Sequence, residues 1–171
     1  MMVFLFPTEF EAAPFRALHP SANVVICGVG MAATAATLSK IIAQSRVDMV
    51  VLAGIAGAYD LSQNPLNQVV EVVSEGIEEL PKQFAKRYSI EARWGLPTAT
   101  SNSVNRSGFQ GAESDIENME GAAAAAICAE HKIPFSQIRA ISNLVGDEIE
   151  NWSIKSAIDA LTDTLSIIYT R

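Results

Sequence analysis

Basic residues, cysteines and histidines are all scarce in this chain, and each shortage closes off a class of function. Twelve Lys and Arg stand against nineteen Asp and Glu, for a net charge of -7. A surface that grips nucleic acid or an anionic membrane gathers positive charge on one face, and this balance leaves little to gather. The two cysteines, Cys27 and Cys128, lie inside apolar runs. Reduced, buried thiols are the ordinary outcome there, ahead of a disulfide or a metal site. His19 and His131 have no partners at ligand spacing, so no metal is expected. Long hydrophobic runs are missing as well. Met1 to Phe6 is apolar, but Pro7 and Glu9 stop it well short of a signal-peptide core or a membrane span. The Ala-containing stretches 31–43 and 121–129 are too short and too interrupted to cross a bilayer. The expectation is a cytoplasmic protein without nucleic-acid or membrane partners.

What remains is the composition of a globular enzyme or binding protein. Hydrophobic residues make up 49% and charged residues 18% of 171 positions, enough for one domain over 1–171 with a single sizeable core. Short apolar runs alternate with helical patterns. Val3 to Phe6, Asn23 to Cys27 and Val47 to Ala53 read as strands, the third continuously apolar after Asp48 and so covered on both faces. Thr8 is placed to cap a short helix carrying Glu9, Glu11, Phe15 and Leu18. Met31 to Gln44 has one apolar face at Met31, Ala35, Leu38 and Ile42. Gln68 to Val73 is a fourth strand, 115–119 a short one leading into helix 121–132, and 135–142 a strand introduced by Pro134. Ser153 is expected to cap a last amphipathic helix. Pro81 to Arg106 shows no sustained period and reads as irregular, with one or two short strands. Strand–helix alternation with buried strands means a three-layer α/β domain.

Gly28-x-Gly30-x-x-Ala33 sits between a strand and a helix, the setting of a dinucleotide fingerprint. That fingerprint also needs an acid at the far end of the next strand to meet the ribose. The only nearby acid, Asp48, stands at the start of that strand, roughly 20 Å away at ~3.3 Å per residue. A tight turn needing glycine explains Gly28 and Gly30 without a nicotinamide cofactor.

The chemistry points to two other corners. Asn118-Met119-Glu120-Gly121 opens an Ala-rich helix, and a carboxylate there is costly to bury unless something pairs with it. Arg139-Ala140-Ile141-Ser142-Asn143 ends a strand with an amide that can both donate and accept. Ligands of open α/β sheets sit at the C-terminal ends of strands. If the loop at 28–31, the Gly-rich turn at 54–57 and Glu11 open on the same rim, the site offers a backbone floor, two carboxylates and an amide. Cleaving a glycosidic bond calls for such a set: a base to activate water, groups to hold a sugar that turns cationic, and a donor for the leaving group.

The runs Met119-Glu120-Gly121-Ala122-Ala123, Ile133-Pro134-Phe135 and Arg139-Ala140-Ile141-Ser142-Asn143 resemble the purine nucleoside phosphorylase/nucleosidase superfamily. So does the order Val29-Gly30 before a helix and Gly54-Ile55-Ala56-Gly57 after the next strand. The resemblance covers most of the chain, is weakest between 78 and 112, and is most like the futalosine hydrolase branch. It implies an α/β/α sandwich around a central mixed, mostly parallel sheet, no cofactor, a small-molecule purine nucleoside as partner, and a homodimer or larger homo-oligomer. It implies Glu11 as the water-activating acid, with Glu9 as the alternative, and Glu120 as the acid gripping the ribose hydroxyls, with Met119 beneath the sugar. Asn143 corresponds to the purine reader. Asn118, Ile55, Ala56 and Gly57 would line the pocket, Ser101 and Asn102 would flank the base, and Arg139 would pair with a buried acid. Methylthioadenosine/S-adenosylhomocysteine nucleosidases carry Asp where this chain has Asn143 and Ser where it has Ile55. An amide suits a 6-oxopurine, so the expected activity is hydrolysis of a 6-oxopurine nucleoside such as futalosine. A phosphorylase, a methylthioadenosine nucleosidase and a non-catalytic purine-binding protein are the alternatives.

Overall fold

A computed structural model describes all 171 residues. Eight strands form one mixed sheet: β1 (Met2–Phe6), β2 (Val24–Ile26), β3 (Met49–Ala58), β4 (Val69–Gly76), β5 (Arg87–Ser89), β6 (Thr98–Ser103), β7 (Ile116–Asn118) and β8 (Phe135–Leu144). Four helices join them: α1 (Glu9–Leu18), α2 (Met31–Gln44), α3 (Gly121–His131) and α4 (Ile154–Tyr169). Strand period divides the core in two. Leu5, Val50 and Leu52 pack with Leu38 of α2 and Ala124, Ala125 and Cys128 of α3. Their neighbours Phe4, Phe6, Val51 and Ala53 pack with Ala12 and Phe15 of α1 and with Ala157, Leu161, Leu165 and Ile168 of α4. The sheet is thus sandwiched between two helix pairs, and five of its eight strand pairings are parallel, which bears out the mixed, mostly parallel sandwich.

The sheet also curls on itself. β1 takes one edge of β3 over Met49–Leu52, and β7 takes over that edge at Gly57–Ala58. β8 lies along the other edge of β3, β4 follows β8, β6 follows β4 and β7 follows β6, so β3-β8-β4-β6-β7 closes into a ring.

Two features depart from the sequence reading, at 54–57 and at Ser153. Gly54-Ile55-Ala56-Gly57 is not a turn: β3 runs through it to Ala58. The glycine at 54 serves close approach, because a Cβ there would lie 2.7 Å from Arg139 Nη1 and 2.9 Å from Glu11 Oε1. The stretch 81–106, read as irregular with one or two short strands, holds β5 and β6. β6, with sequence Thr-Ala-Thr-Ser-Asn-Ser, escaped an apolar-pattern reading because its buried side chains are mostly hydroxyls and an amide. Ser153 does precede α4, but its side chain makes no capping bond. Thr8 caps α1 as expected, its Oγ1 accepting from Glu11 N at 3.2 Å.

Two bulges interrupt the ring. Ala56 pairs with Ile141 but Gly57 with Asn143, leaving Ser142 as an extra residue in β8. In β4, Val72 pairs with Ala99 and Ser74 with Thr100, leaving Val73 extra. Each bulge breaks the two-residue alternation and re-aims the side chains beyond it.

Gly121, the first residue of α3, is packed against β4 and β8 without room for a side chain. A Cβ would stand 2.1 Å from Glu75 Oε2 and 2.6 Å from Gln137 Oε1. Gly121→Ala is therefore expected to destabilise the fold by about 1–3 kcal/mol, outweighing the gain of up to about 1 kcal/mol in helix propensity. Urea unfolding of the variant against the wild type measures the difference.

Candidate active site

A cavity of about 430 Å³ opens at the C-terminal ends of β1, β3 and β8, beside the start of α3. Glu11, Ile55, Ala56, Gly57, Asn118, Met119, Glu120 and Asn143, all expected at one site, line it together.

Glu11 reaches it from the first turn of α1 and is only 6% exposed. Thr8-x-x-Glu11 has the sequence of a capping box, in which the glutamate turns back to the N-cap amide. Here the carboxylate turns outward instead. Its Oε2 accepts from Thr8 Oγ1 at 2.6 Å and its Oε1 from Ile55 N at 3.0 Å. Burial pushes the Glu11 carboxyl above its ordinary value and the charge of Glu120 adds to this, while Thr8, the Ile55 amide and Arg139 oppose it. Glu9, the alternative acid, is 62% exposed and paired with Arg16 on the surface, so of the two only Glu11 lines the cavity.

Glu120 is 3% exposed at the N-cap of α3. Its Oε1 accepts from Gly30 N at 3.0 Å and its Oε2 from Arg139 Nη2 at 3.2 Å. Gly28 and Gly30 both hold positive φ, 84° and 94°, as the tight-turn reading of that loop requires. Arg139 is 1% exposed, as expected for the partner of a buried acid. Its Nη2 also donates to Asn118 Oδ1 at 2.9 Å, and its Nη1 to the Ile55 carbonyl at 3.3 Å. Asn118 Oδ1 further accepts from the amides of Glu120 at 2.8 Å and Gly121 at 2.6 Å, which ties the helix start to the guanidinium.

Asn143 and Ser142 both line the cavity. Consecutive strand residues normally face opposite ways, and the bulge at Ser142 brings both to the same side. Ser142 Oγ donates to Asn143 Oδ1 at 2.8 Å and Asn143 Nδ2 to the Leu144 carbonyl at 2.9 Å, which fixes the amide orientation. One Nδ2 proton stays free to donate into the cavity.

Ser101 and Asn102 are not at the cavity. Both are fully buried in β6. Ser101 Oγ accepts from Asn118 Nδ2 at 2.8 Å, while Asn102 Oδ1 accepts from Glu78 N at 2.8 Å, so they brace the site from behind. The cavity lining includes Val104, Ser107 and Glu117 instead. Glu117 accepts from Gly108 N at 2.6 Å and from the Tyr59 hydroxyl at 3.0 Å, pinning the 108–109 turn. Its place was legible, since Glu117 and Met119 are two residues apart in an extended segment and share a side. Ile149 and Trp152 also line the mouth; two apolar residues in the polar run Gly146 to Ser153 were the available signal. No group of His, Cys, Asp and Glu is arranged to hold a metal ion, and no helix is long and apolar enough to cross a membrane.

Known proteins share this fold. A family model described as the phosphorylase superfamily matches residues 97–168. No curated protein sequence matches the chain significantly. Among solved structures, a 5'-methylthioadenosine nucleosidase of Arabidopsis thaliana superposes with a TM-score of 0.87 at 17% identity, over 99% of this chain and 94% of that one. A futalosine hydrolase mutant of Helicobacter pylori gives 0.86 at 14% identity, over 99% and 98%. The MTAN protein CT263 of Chlamydia trachomatis gives 0.82 at 23% identity, over 99% and 96%. The family match and the shared fold bear out the superfamily resemblance read from the sequence.

Glu11 and Glu75 are both carboxyls that burial holds above their ordinary value. Their protonated forms are favoured in the folded state, so the stability they contribute is full below the unfolded value of about 4.3 and is lost as pH rises through the raised folded values. The exposed Asp48 and Asp60, lowered by the terminal amino group and by Ser62, act in the opposite direction at more acid pH. Urea unfolding free energies are expected to fall as pH rises above about 4.3, with a shallower fall in Glu11→Gln. An unchanged slope in that variant would show that Glu11 titrates at its ordinary value.

Proposed function

We propose that this chain, with its phosphorylase-superfamily match and fold, is an N-ribosyl hydrolase acting on a 6-oxopurine nucleoside, with futalosine as the leading substrate. The observation that carries the reading is the charge inventory of the cavity. Glu11, Glu117 and Glu120 line it against one cation, Arg139, which is buried and committed to Glu120 and Asn118. A phosphorolytic site must hold a phosphate anion, for which arginines with free donors are the usual means. Nothing here supplies one, and three carboxylates would repel it. Water, by contrast, needs a base.

Glu11 supplies that base. Its raised carboxyl is a stronger proton acceptor once ionised, and the Thr8 hydroxyl and the Ile55 amide hold it in place. Glu120, fixed by Gly30 N and Arg139, has lone pairs left to accept the ribose hydroxyls, with Met119 alongside it in the wall. Its negative charge stabilises the oxocarbenium-like sugar of the transition state. Asn143 donates its free Nδ2 proton to the departing purine at N7 or O6. Its Oδ1 carries the Ser142 hydrogen bond and accepts further at its second lone pair. An aspartic acid at this position would instead deliver a proton to N7, which suits a 6-aminopurine. The choice of Asn favours hypoxanthine over adenine as leaving group, and this sets the proposed substrate apart from methylthioadenosine. The reading carries with it a homodimer or larger homo-oligomer in the cytoplasm.

Base release from futalosine, inosine and methylthioadenosine, each with and without phosphate, tests the proposal by chromatography. Hypoxanthine from futalosine, at a rate indifferent to phosphate, is the expected result. Phosphate-dependent release from inosine would make the protein a phosphorylase, and tight hypoxanthine binding without turnover would make it a purine-binding protein. Asn143→Ala should lower kcat by roughly 10²-fold through loss of one leaving-group donor, and Asn143→Asp should move the preference toward 6-aminopurines. Full activity of the alanine variant on futalosine would sink the assignment of Asn143.

A further inference from the structure

We infer that Glu75, a carboxylate no step of the proposed hydrolysis uses, is a positioning residue: it sets the direction of the Asn118 amide and, through it, the placement of Arg139 and Glu120. The inference rests on the hydrolase reading for the role of Glu120.

Glu75 has no exposed surface. With regular alternation along β4 it would share the side of Glu71, which faces Ser136 at 3.3 Å and Trp94 N at 3.1 Å. The bulge at Val73 turns it to the side of Gln137 and Asn118 instead. Its Oε2 accepts from Asn118 Nδ2 at 2.8 Å and Gln137 Nε2 at 3.0 Å, and its Oε1 from Ser103 Oγ at 3.1 Å and Gly76 N at 3.0 Å.

The direction of Asn118 follows from this. An acceptor at Glu75 Oε2 requires the Asn118 NH2 group to face it. Asn118 Oδ1 then faces the other way, onto Glu120 N, Gly121 N and Arg139 Nη2, all of which donate. The flipped amide would aim two N–H bonds at three donors. Ser103 forms a second arm, donating to Glu75 while its oxygen accepts from Ala122 N at 2.8 Å. Glu75 thus stands behind three successive N–H groups at the start of α3, where Glu120 makes no side-chain cap of its own. Burial raises the Glu75 carboxyl, but a proton on Oε1 would go to Ser103 and leave Oε2 accepting from Asn118. The hold on Asn118 is the same in either ionisation state, while the Ser103 bond reverses.

The test separates this role from simple packing. Glu75→Met removes the acceptor at similar length. Glu75→Gln keeps an oxygen for Asn118, and Glu75→Met/Asn118→Asp replaces the oriented amide with a carboxylate that accepts on both sides. With the nucleoside that the wild type cleaves, Glu75→Met should lose roughly 10²-fold in kcat/KM, the scale of a 1 Å misplacement, while its Kd for free hypoxanthine stays unchanged. Glu75→Gln should stay within about tenfold of wild type, and the double variant should regain at least about tenfold over Glu75→Met. In the wild-type background Asn118→Asp should lower activity, because it sets two carboxylates against each other. A folded Glu75→Met within about threefold of wild type, equal losses for nucleoside and hypoxanthine, or a double variant no better than Glu75→Met would each overturn the proposal. Should Glu75→Met fail to fold, the double variant decides alone: folded at the level of Glu75→Gln it supports the role, and unfolded or inactive it overturns it. If the wild type cleaves no nucleoside, the hydrolase reading falls. Calorimetric Kd values for inosine against hypoxanthine across the same variants then decide the role of Glu75, and a wild type that binds no inosine overturns both.

Discussion

A guanidinium taken wholly out of water calls for oxygens around it, and Arg139 imposes that demand on the site. Its Nη atoms reach the Glu120 carboxylate, the Asn118 amide oxygen and the Ile55 carbonyl, while its buried Nε is left without a partner. These contacts tie together β8, β7, the start of α3 and the middle of β3. Gly54 lacks a side chain because the guanidinium passes there, and Gly121 lacks one because the polar cluster behind Asn118 leaves no room. A buried ion pair of this kind is weak evidence for stability, since desolvation cancels much of the attraction. What it does secure is geometry, by giving Glu120 a single place to be.

That geometry is partly legible in the sequence alone. The apolar runs of β1, β3 and β8 and the amphipathic α2 and α4 follow from period, because one face or both must leave water. Glu11, Glu120 and Asn143 stand out as polar groups at the ends of apolar elements. The family resemblance brings them to one site, and all three line one cavity. Sequence could not reveal the bulge at Ser142, which depends on register against β3, nor the continuation of β3 through Gly54 and Gly57. Glycines in a run read as a turn unless one knows that a guanidinium and the Glu11 carboxyl pass close to Gly54 and the Asn143 amide close to Gly57. Ser101 and Asn102 were misplaced because the resemblance is weakest over that stretch. It put them beside the base, whereas their partners are Asn118 and the Glu78 amide.

The charge balance of the cavity gives the site its direction. Two acids, Glu11 and Glu120, share the field of one cation, and the negative charge of Glu120 raises Glu11 further. A surplus of carboxylate repels anionic nucleophiles and favours a sugar on its way to becoming cationic. On the proposed hydrolase reading, one charge distribution serves three ends: it selects water, keeps a base basic, and stabilises positive charge at the anomeric carbon.

The polar strand β6 shows how such a site is kept in register. Ser101, Asn102 and Ser103 are fully buried yet add almost nothing to the hydrophobic core. On hydrophobicity alone they would be poor choices, because each buried hydroxyl or amide without a partner costs about 1–3 kcal/mol. Each has its partner, in Asn118, the Glu78 amide or Glu75. An apolar strand in this position would tolerate sliding, since aliphatic contacts are not directional. A strand of hydroxyls and amides fits one arrangement only, and any slip would orphan several groups at once. The ring that β6 helps to close trades apolar burial for a unique alignment, and that alignment sets where Glu120 points.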